Sequence, residues 1–241
     1  MTYNLDHIDI VTTHQCNMMC AHCIDKFRGT SDDIIKLTDI EKFLKLVRKH
    51  TDKNLSVLLL GGDPTAVGAH HLIRIAKLVK TYGFRIIMST NGILKGTIMD
   101  ILPYFDSIQI TTHSDKETDY WRQFADKINI KIAGDASFTY EKMMHFINYT
   151  KDFSRRSVSM YFTPEFEELC TDERVWNLLD TLDWQRNGSY MYAFYQGVRF
   201  KKCIHGETNI IDEPTVPKLY PNGNYNKTWD HEELDAYLGD M

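Results

Sequence analysis

The chain has 241 residues, 43% of them hydrophobic and 25% charged, with a formal net charge of -5. A chain of this length holds one sizeable core, and this composition excludes a disordered polymer, a collagen and a coiled-coil rod. The acidic balance presents no overall basic field, so duplex nucleic acid is not an expected partner. At the start of the chain, Asp6 and Asp9 interrupt the apolar residues and no Lys or Arg precedes them. That differs from a secretory or transit peptide. Apolar runs such as Val57 to Leu60 are far shorter than a bilayer span. A cytoplasmic protein without a membrane partner is expected.

Strand candidates and helical patterns alternate along the chain. A first strand over Ile8–Thr12 precedes a cysteine-rich segment. Thr38-Asp39-Ile40-Glu41 reads as a capping box, in which hydroxyl and carboxylate each satisfy an orphan backbone donor. Ile40, Phe43, Leu44 and Val47 then form one helical face. The strand Ser56–Leu60 comes next, followed by a helix carrying Leu72, Ile75, Ala76 and Val79, and by strands Phe84–Ser89 and Ser107–Thr111. Ser114-Asp115-Lys116-Glu117 is a second capping box, ahead of Trp121 and Phe124. Strand Ile128–Ala133, a helix with Met143, Phe146 and Ile147, strand Val158–Phe162, a helix with Val175, Leu178, Leu179 and Leu182, and strand Tyr190–Tyr195 complete the series. After the first strand the repeat is roughly 20–30 residues, the step of βα units in a parallel sheet. Right-handed crossovers curl such units into a partial (β/α)6 barrel of parallel strands. The expected organisation is a core barrel over residues 1–165. Residues 166–241 supply the last helix and strand and a C-terminal cap in the same compact unit. From about Cys203 the chain carries Pro214, Pro217, Pro221 and Gly223, then a short Trp229–Leu238 pattern, and reads as an irregular extension on the barrel.

Of the five cysteines, three fall in Cys16-Asn17-Met18-Met19-Cys20-Ala21-His22-Cys23. An odd count, crowded in this way, suits a metal or cluster site better than a secreted disulfide framework. The segment follows the first strand, in a loop that opens on the face where α/β barrels place their active sites. A structural zinc wants four ligands, and His22 or His14 would complete a Cys3His set. A [4Fe–4S] cluster usually has four cysteines, so three leave one iron open. Simple burial of three small thiols is the third reading.

Cys-x3-Cys-x2-Cys after the first strand of a βα series resembles the radical S-adenosylmethionine (SAM) enzymes, over about residues 7–165. The resemblance implies a [4Fe–4S] cluster held by Cys16, Cys20 and Cys23, with its open iron chelated by the amine and carboxylate of SAM. Reductive cleavage of SAM then gives a 5′-deoxyadenosyl radical that abstracts a hydrogen atom from a substrate. It also implies a reducing partner such as flavodoxin or ferredoxin. Gly61-Gly62-Asp63-Pro64 resembles the family's Gly-Gly-Glu-Pro segment, which binds the SAM ammonium, with Asp63 where Glu is commoner. By the same resemblance Ser89 and Asn91, in Ser89-Thr90-Asn91-Gly92, contact the SAM ribose or carboxylate. Thr111 keeps the hydroxyl of a SAM-touching Ser, His113 replaces an Asp, and His22 takes the place of an aromatic residue whose backbone meets adenine. Gly134, Asp135 and Tyr161 to Pro164 end later strands and rim the same cavity by barrel geometry.

Cys170 and Cys203 are too few for a second all-cysteine cluster and read first as small buried hydrophobes. Cys203 is also a candidate hydrogen-atom donor, as in epimerising relatives. Cys203 to Gly206, Tyr220 to Asn226 and Trp229 resemble a degenerate SPASM or twitch extension without its clusters. That likeness makes a peptide or protein residue the expected substrate. A small nucleotide-like or sugar substrate, a glycyl-radical activase and a non-catalytic zinc module are the alternatives. One face of Tyr190–Tyr195 belongs to the core at strand period two, and the run could also line a substrate pocket.

Overall fold

The computed structural model describes residues 7–20, 31–50, 54–134, 138–160, 172–187, 190–203 and 218–224. Along the chain these form β1 (His7–Val11), α1 (Leu37–His50), β2 (Ser56–Leu60), α2 (Ala69–Thr81), β3 (Arg85–Thr90), α3 (Lys95–Ile101) and β4 (Ser107–Thr111). There follow α4 (Asp115–Arg122), β5 (Ile128–Gly134), α5 (Tyr140–Tyr149) and β6 (Arg155–Met160). The last are α6 (Glu173–Asp180), β7 (Gln185–Asn187), β8 (Tyr190–Tyr195), β9 (Val198–Cys203) and β10 (Lys218–Leu219). The fold is α/β with parallel strands, in two compact units, residues 1–108 with 214–241 and residues 109–213. Among the described residues no helix is long and apolar enough to cross a membrane.

In the first unit, strands pair in the order β10-β1-β2-β3, each neighbour parallel, with Asp9 opposite Lys218, Ile8 opposite Val57 and Leu58 opposite Ile87. Period two puts Ile8, Ile10, Val57, Leu59, Ile86 and Met88 on one face, and all are fully buried. The stripes Ile40–Phe43–Leu44–Val47 of α1 and Leu72–Ile75–Ala76–Val79 of α2 are buried to the same degree and supply the rest of this core. Each such aliphatic side chain stabilises the fold by roughly 1.5–3 kcal/mol relative to exposure. Two expectations are corrected here. α1 begins at Leu37, so Thr38 lies inside the first turn and does not cap it. The tail is not wholly irregular either, because Lys218–Leu219 add a strand outside β1. There the Lys218 ammonium lies 3.4 Å from Asp9 Oδ2.

In the second unit β5, β6 and β9 are parallel neighbours, and β9, β8 and β7 continue as an antiparallel meander. Tyr190–Tyr195 is thus the middle strand of a meander and not the seventh strand of a βα series. Gln196 and Gly197, both at positive φ (48° and 74°), close the β8–β9 hairpin as a two-residue turn whose twist matches the strands. Cys203 is the last residue of β9, not a residue beyond a strand. The strand expected from Val158 starts earlier, at Arg155. The second capping box forms with a shift: Ser114 Oγ accepts from Glu117 N (3.3 Å), and the Glu117 carboxylate accepts from His113 N (2.8 Å), one residue ahead of the cap.

Candidate functional site

The site is assembled at the ends of β1, β2 and β3. Leaving β1, Thr12 N donates to Leu60 O (2.9 Å), and Thr12 O accepts from Ile35 N (2.9 Å). Thr13 and Ile34 form an antiparallel bridge. The cysteine segment is therefore an excursion whose two ends are tied together at its base. Gly62 N then donates to Thr13 O (2.9 Å) and Asp63 N to Gln15 O (2.7 Å), fastening the start of the excursion to the loop after β2. A Cβ on Gly61, which sits at φ +138°, would lie 2.2 Å from Thr13 O. One on Gly62 would lie 2.2 Å from Gln15 O. These glycines permit close approach, and what approaches is the chain's own backbone. Gly62→Ala is expected to destabilise the protein by about 1–3 kcal/mol, the range for overpacking, because the atoms it would meet, in Gln15 and His14, are all backbone. A lowered denaturation midpoint at unchanged slope would show it.

Asp63 joins this loop to the next. It is 1% exposed. Its Oδ1 accepts from Thr65 N (2.8 Å), the Thr65 hydroxyl and the Thr90 hydroxyl (3.0 Å). Oδ2 lies 2.9 Å from the same Thr90 hydroxyl and accepts from Asn91 N (2.8 Å). The Thr90 oxygen in turn accepts from Gly92 N (3.2 Å). Asn91, held through its backbone, extends its amide Nδ2 to Asn17 Oδ1 (2.7 Å) and towards Cys16 Sγ (3.8 Å). Met18 N also donates to Cys16 Sγ (3.4 Å). Two N–H groups aimed at this sulfur favour negative charge on it, the form that ligates metal, and such donors tune a cluster. Cys20 is half-buried in the same excursion. A pinned loop carrying thiols, one of them with N–H donors, fits an iron–sulfur cluster.

Of the residues singled out from sequence, Cys16, Gly61, Gly62, Asp63 and Asn91 meet here. Ser89 is half-buried on β3. Thr111, at the end of β4, and the exposed His113 belong to the second unit. His22, Cys23, Asp135, Tyr161 to Pro164 and Cys170 lie outside the described residues. The sequence reading passed over Thr65, Thr90 and Asn17. A clamp from Asp63 to Thr90 spans 27 positions and leaves no local signal.

Lys131 on β5 was also missed. Burial and the charges of Lys201 and Arg199 push its ammonium down to about 8. In the unfolded chain the group keeps its ordinary, higher value, so between about pH 8 and 10.5 the unfolded state binds the extra proton. Stability therefore rises with pH across that window. Lys131→Met is expected to stabilise the protein at neutral pH by roughly 1–3 kcal/mol. Denaturant unfolding at about pH 7 and about pH 10 checks it, since the gap between variant and parent should narrow at the higher pH.

Comparison with known proteins gives this geometry a context. Residues 10–168, well over half of the chain, match the Radical SAM superfamily. A stretch of 76 residues is 33% identical to L-lysine 2,3-aminomutase of Fusobacterium nucleatum subsp. nucleatum, covering 31% of this chain and 18% of the aminomutase. Among solved structures, native anSMEcpe with bound AdoMet and Cp18Cys peptide superposes with a TM-score of 0.50 at 14% identity, covering 64% of this chain and 50% of that one. Native anSMEcpe with bound AdoMet gives 0.50 at 15% identity, over 64% and 51%. The chain thus spans about half the length of these structures, and at such identity the likeness shows a shared fold. The match over residues 10–168 carries the family: the chain belongs to the radical SAM superfamily, whose enzymes use a [4Fe–4S] cluster and S-adenosylmethionine for radical chemistry.

Proposed function

We propose that the protein cleaves SAM reductively and abstracts a hydrogen atom from a substrate C–H bond. Cys16, Cys20 and Cys23 hold the cluster. What cluster and SAM supply when bound is a 5′-deoxyadenosyl radical; the chain's own residues bind, orient and shield. The observation that carries the reading is the Asp63–Asn91–Cys16 connection, which brings three separate motifs to one place. The carboxylate of Asp63 is taken up by Thr65, Thr90 and Asn91, so it serves SAM by fixing the backbone of its loop. Gly61, Gly62, Ser89, Asn91, Thr111, His113 and the backbone of His22 make the remaining SAM contacts. Cys203 is the candidate hydrogen donor. A flavodoxin or ferredoxin supplies the electron.

A peptide or protein residue is the first reading of the substrate. It rests on the resemblance of the tail, most of which lies outside the described residues, and one of the matched structures carries a peptide. A small nucleotide-like or sugar substrate is the second. Anaerobic reconstitution followed by dithionite and SAM should release 5′-deoxyadenosine. A protein that takes up stoichiometric zinc, binds no sulfide and releases no 5′-deoxyadenosine overturns the reading in favour of a zinc module.

A further inference from the structure

The side chain of Asn91 is oriented by its surroundings. Its Oδ1 accepts from Ile93 N (3.0 Å), an Asx turn in the loop after β3. A backbone N–H only donates, so the amide atom facing Ile93 is the oxygen, and the nitrogen faces the other way. There Nδ2 meets two acceptors, Asn17 Oδ1 (2.7 Å) and Cys16 Sγ (3.8 Å), and it has two N–H groups to offer them. The backbone beneath is held as well. Asn91 N donates to Asp63 Oδ2 (2.8 Å), and Asp63 is 1% exposed. Gly92 N donates to the Thr90 hydroxyl (3.2 Å), which lies 2.9 Å from the same carboxylate oxygen. Asn91 is thus fixed at its main chain, at its amide oxygen and at its amide nitrogen.

What this rigidity serves follows from the acceptor. Cys16 Sγ also accepts from Met18 N (3.4 Å), so donors reach the sulfur from two loops, its own and the one after β3. A hydrogen bond to sulfur stabilises negative charge there, and does so more strongly as that charge grows. When an iron–sulfur cluster takes up one electron from a reductant, its charge becomes more negative by one, and no bond is made or broken. Donors to a ligating thiolate therefore favour the reduced form and raise the potential. Cys16 and Asn91 are both half-buried, which limits how far water can replace a lost donor.

We propose that Asn91 is a positioning residue whose side-chain N–H, directed at Cys16 Sγ, raises the reduction potential of the cluster. This task is separate from its contact with SAM. Asp63 takes part by holding the Asn91 backbone in register with the cysteine loop. The proposal rests on the reading above in taking Cys16 as a ligand of an iron–sulfur cluster.

The test is a potentiometric titration of the full-length, anaerobically reconstituted protein with dithionite, in the absence of SAM. The reduced cluster is followed by electron paramagnetic resonance. Asn91→Ser keeps an oxygen able to accept from Ile93 N, but its side chain is too short to reach the sulfur. Asn91→Asp keeps the shape and the turn, and puts an oxygen where the N–H stood. Asn91→Ser should make reduction roughly three- to tenfold harder, a fall of about 30–60 mV for one electron. Asn91→Asp should lower the potential at least as far, because it loses the donor and adds a negative charge. Either variant suffices if the other fails to assemble a cluster. Lys45→Met, at an exposed position of α1, changes the net charge by the same amount as Asn91→Asp and should leave the potential unchanged. A purely structural role would alter stability or iron content, not the potential of the clusters that form. SAM binding to the same proteins is titrated separately by calorimetry. The proposal is overturned if the Asn91 variants keep the parent's potential, or if Lys45→Met shifts it as far. It is also overturned if the variants weaken SAM binding while the SAM-free potential stands, since Asn91 then serves SAM alone. A parent protein that assembles no cluster overturns the reading on which the proposal rests. A parent with a cluster, and variants of equal potential, overturn the proposal alone.

Discussion

Asp63→Ala is expected to lower stability by roughly 2–5 kcal/mol, the scale for leaving two buried backbone donors without their acceptor. Removing the carboxylate leaves the backbone N–H groups of Thr65 and Asn91 without their acceptor, both beside a closed cavity. The hydroxyls of Thr65 and Thr90 lose theirs too, though each is able to rotate towards another partner. An unsatisfied buried donor costs about 1–3 kcal/mol, and water entering the cavity recovers part of the sum. Asp63→Glu restores the commoner family residue but adds a methylene at a site 1% exposed, and should cost about 1–3 kcal/mol. Denaturant titrations of the two variants check the order. If Asp63→Ala unfolds at the parent's midpoint, the clamp between the loops after β2 and β3 is refuted.

Cys16→Ala should separate chemistry from folding. Loss of supporting groups around a metal costs about 10–100-fold, so loss of a ligand should lower 5′-deoxyadenosine release by more than about a hundredfold. Bound iron should fall with it. The same variant should unfold within about 1 kcal/mol of the metal-free parent, because Cys16 is only half-buried and Cys→Ala removes a single atom there. The base of its loop is held by the bonds of Thr12 to Leu60 and Ile35 and of Gly62 to Thr13, none of which involves the sulfur. Iron content, product release and an unfolding curve from one preparation decide the matter. Undiminished 5′-deoxyadenosine would overturn the assignment of Cys16.

What the sequence made legible follows from where each signal resides. Ser56–Leu60 and Ser107–Thr111 are legible to the residue, the first because Val57–Leu60 is an unbroken aliphatic run, the second because Ile108 and Ile110 alternate with polar residues at period two. The four buried positions of α2 were read from spacing alone. β6 was read from Val158 onward and β9 not at all. Both strands carry charged residues, Arg155 and Arg156 in β6 and Arg199, Lys201 and Lys202 in β9, which dilute the β-branched and aliphatic run that marks a strand. α3, seven residues long with Gly96 inside, gives too weak a helical pattern to stand out. The cysteine spacing was legible because its chemistry lies within one short segment. The environment of Cys16 was not, since Asn91 reaches it across 75 positions.

β10 has a consequence for how the chain is made. β1 is made well before the segment that covers its outer edge, Lys218–Leu219, which follows far later in the chain. Until those residues emerge, a row of backbone donors and acceptors on the nascent first strand has no sheet neighbour on that side, and such an edge invites pairing with other chains. Asp9, nearly buried in the finished protein and met there by Lys218, would in that interval be a solvated charge on the open edge, which is one of the devices that discourage such pairing. The same carboxylate that greets the arriving strand thus guards its place during synthesis.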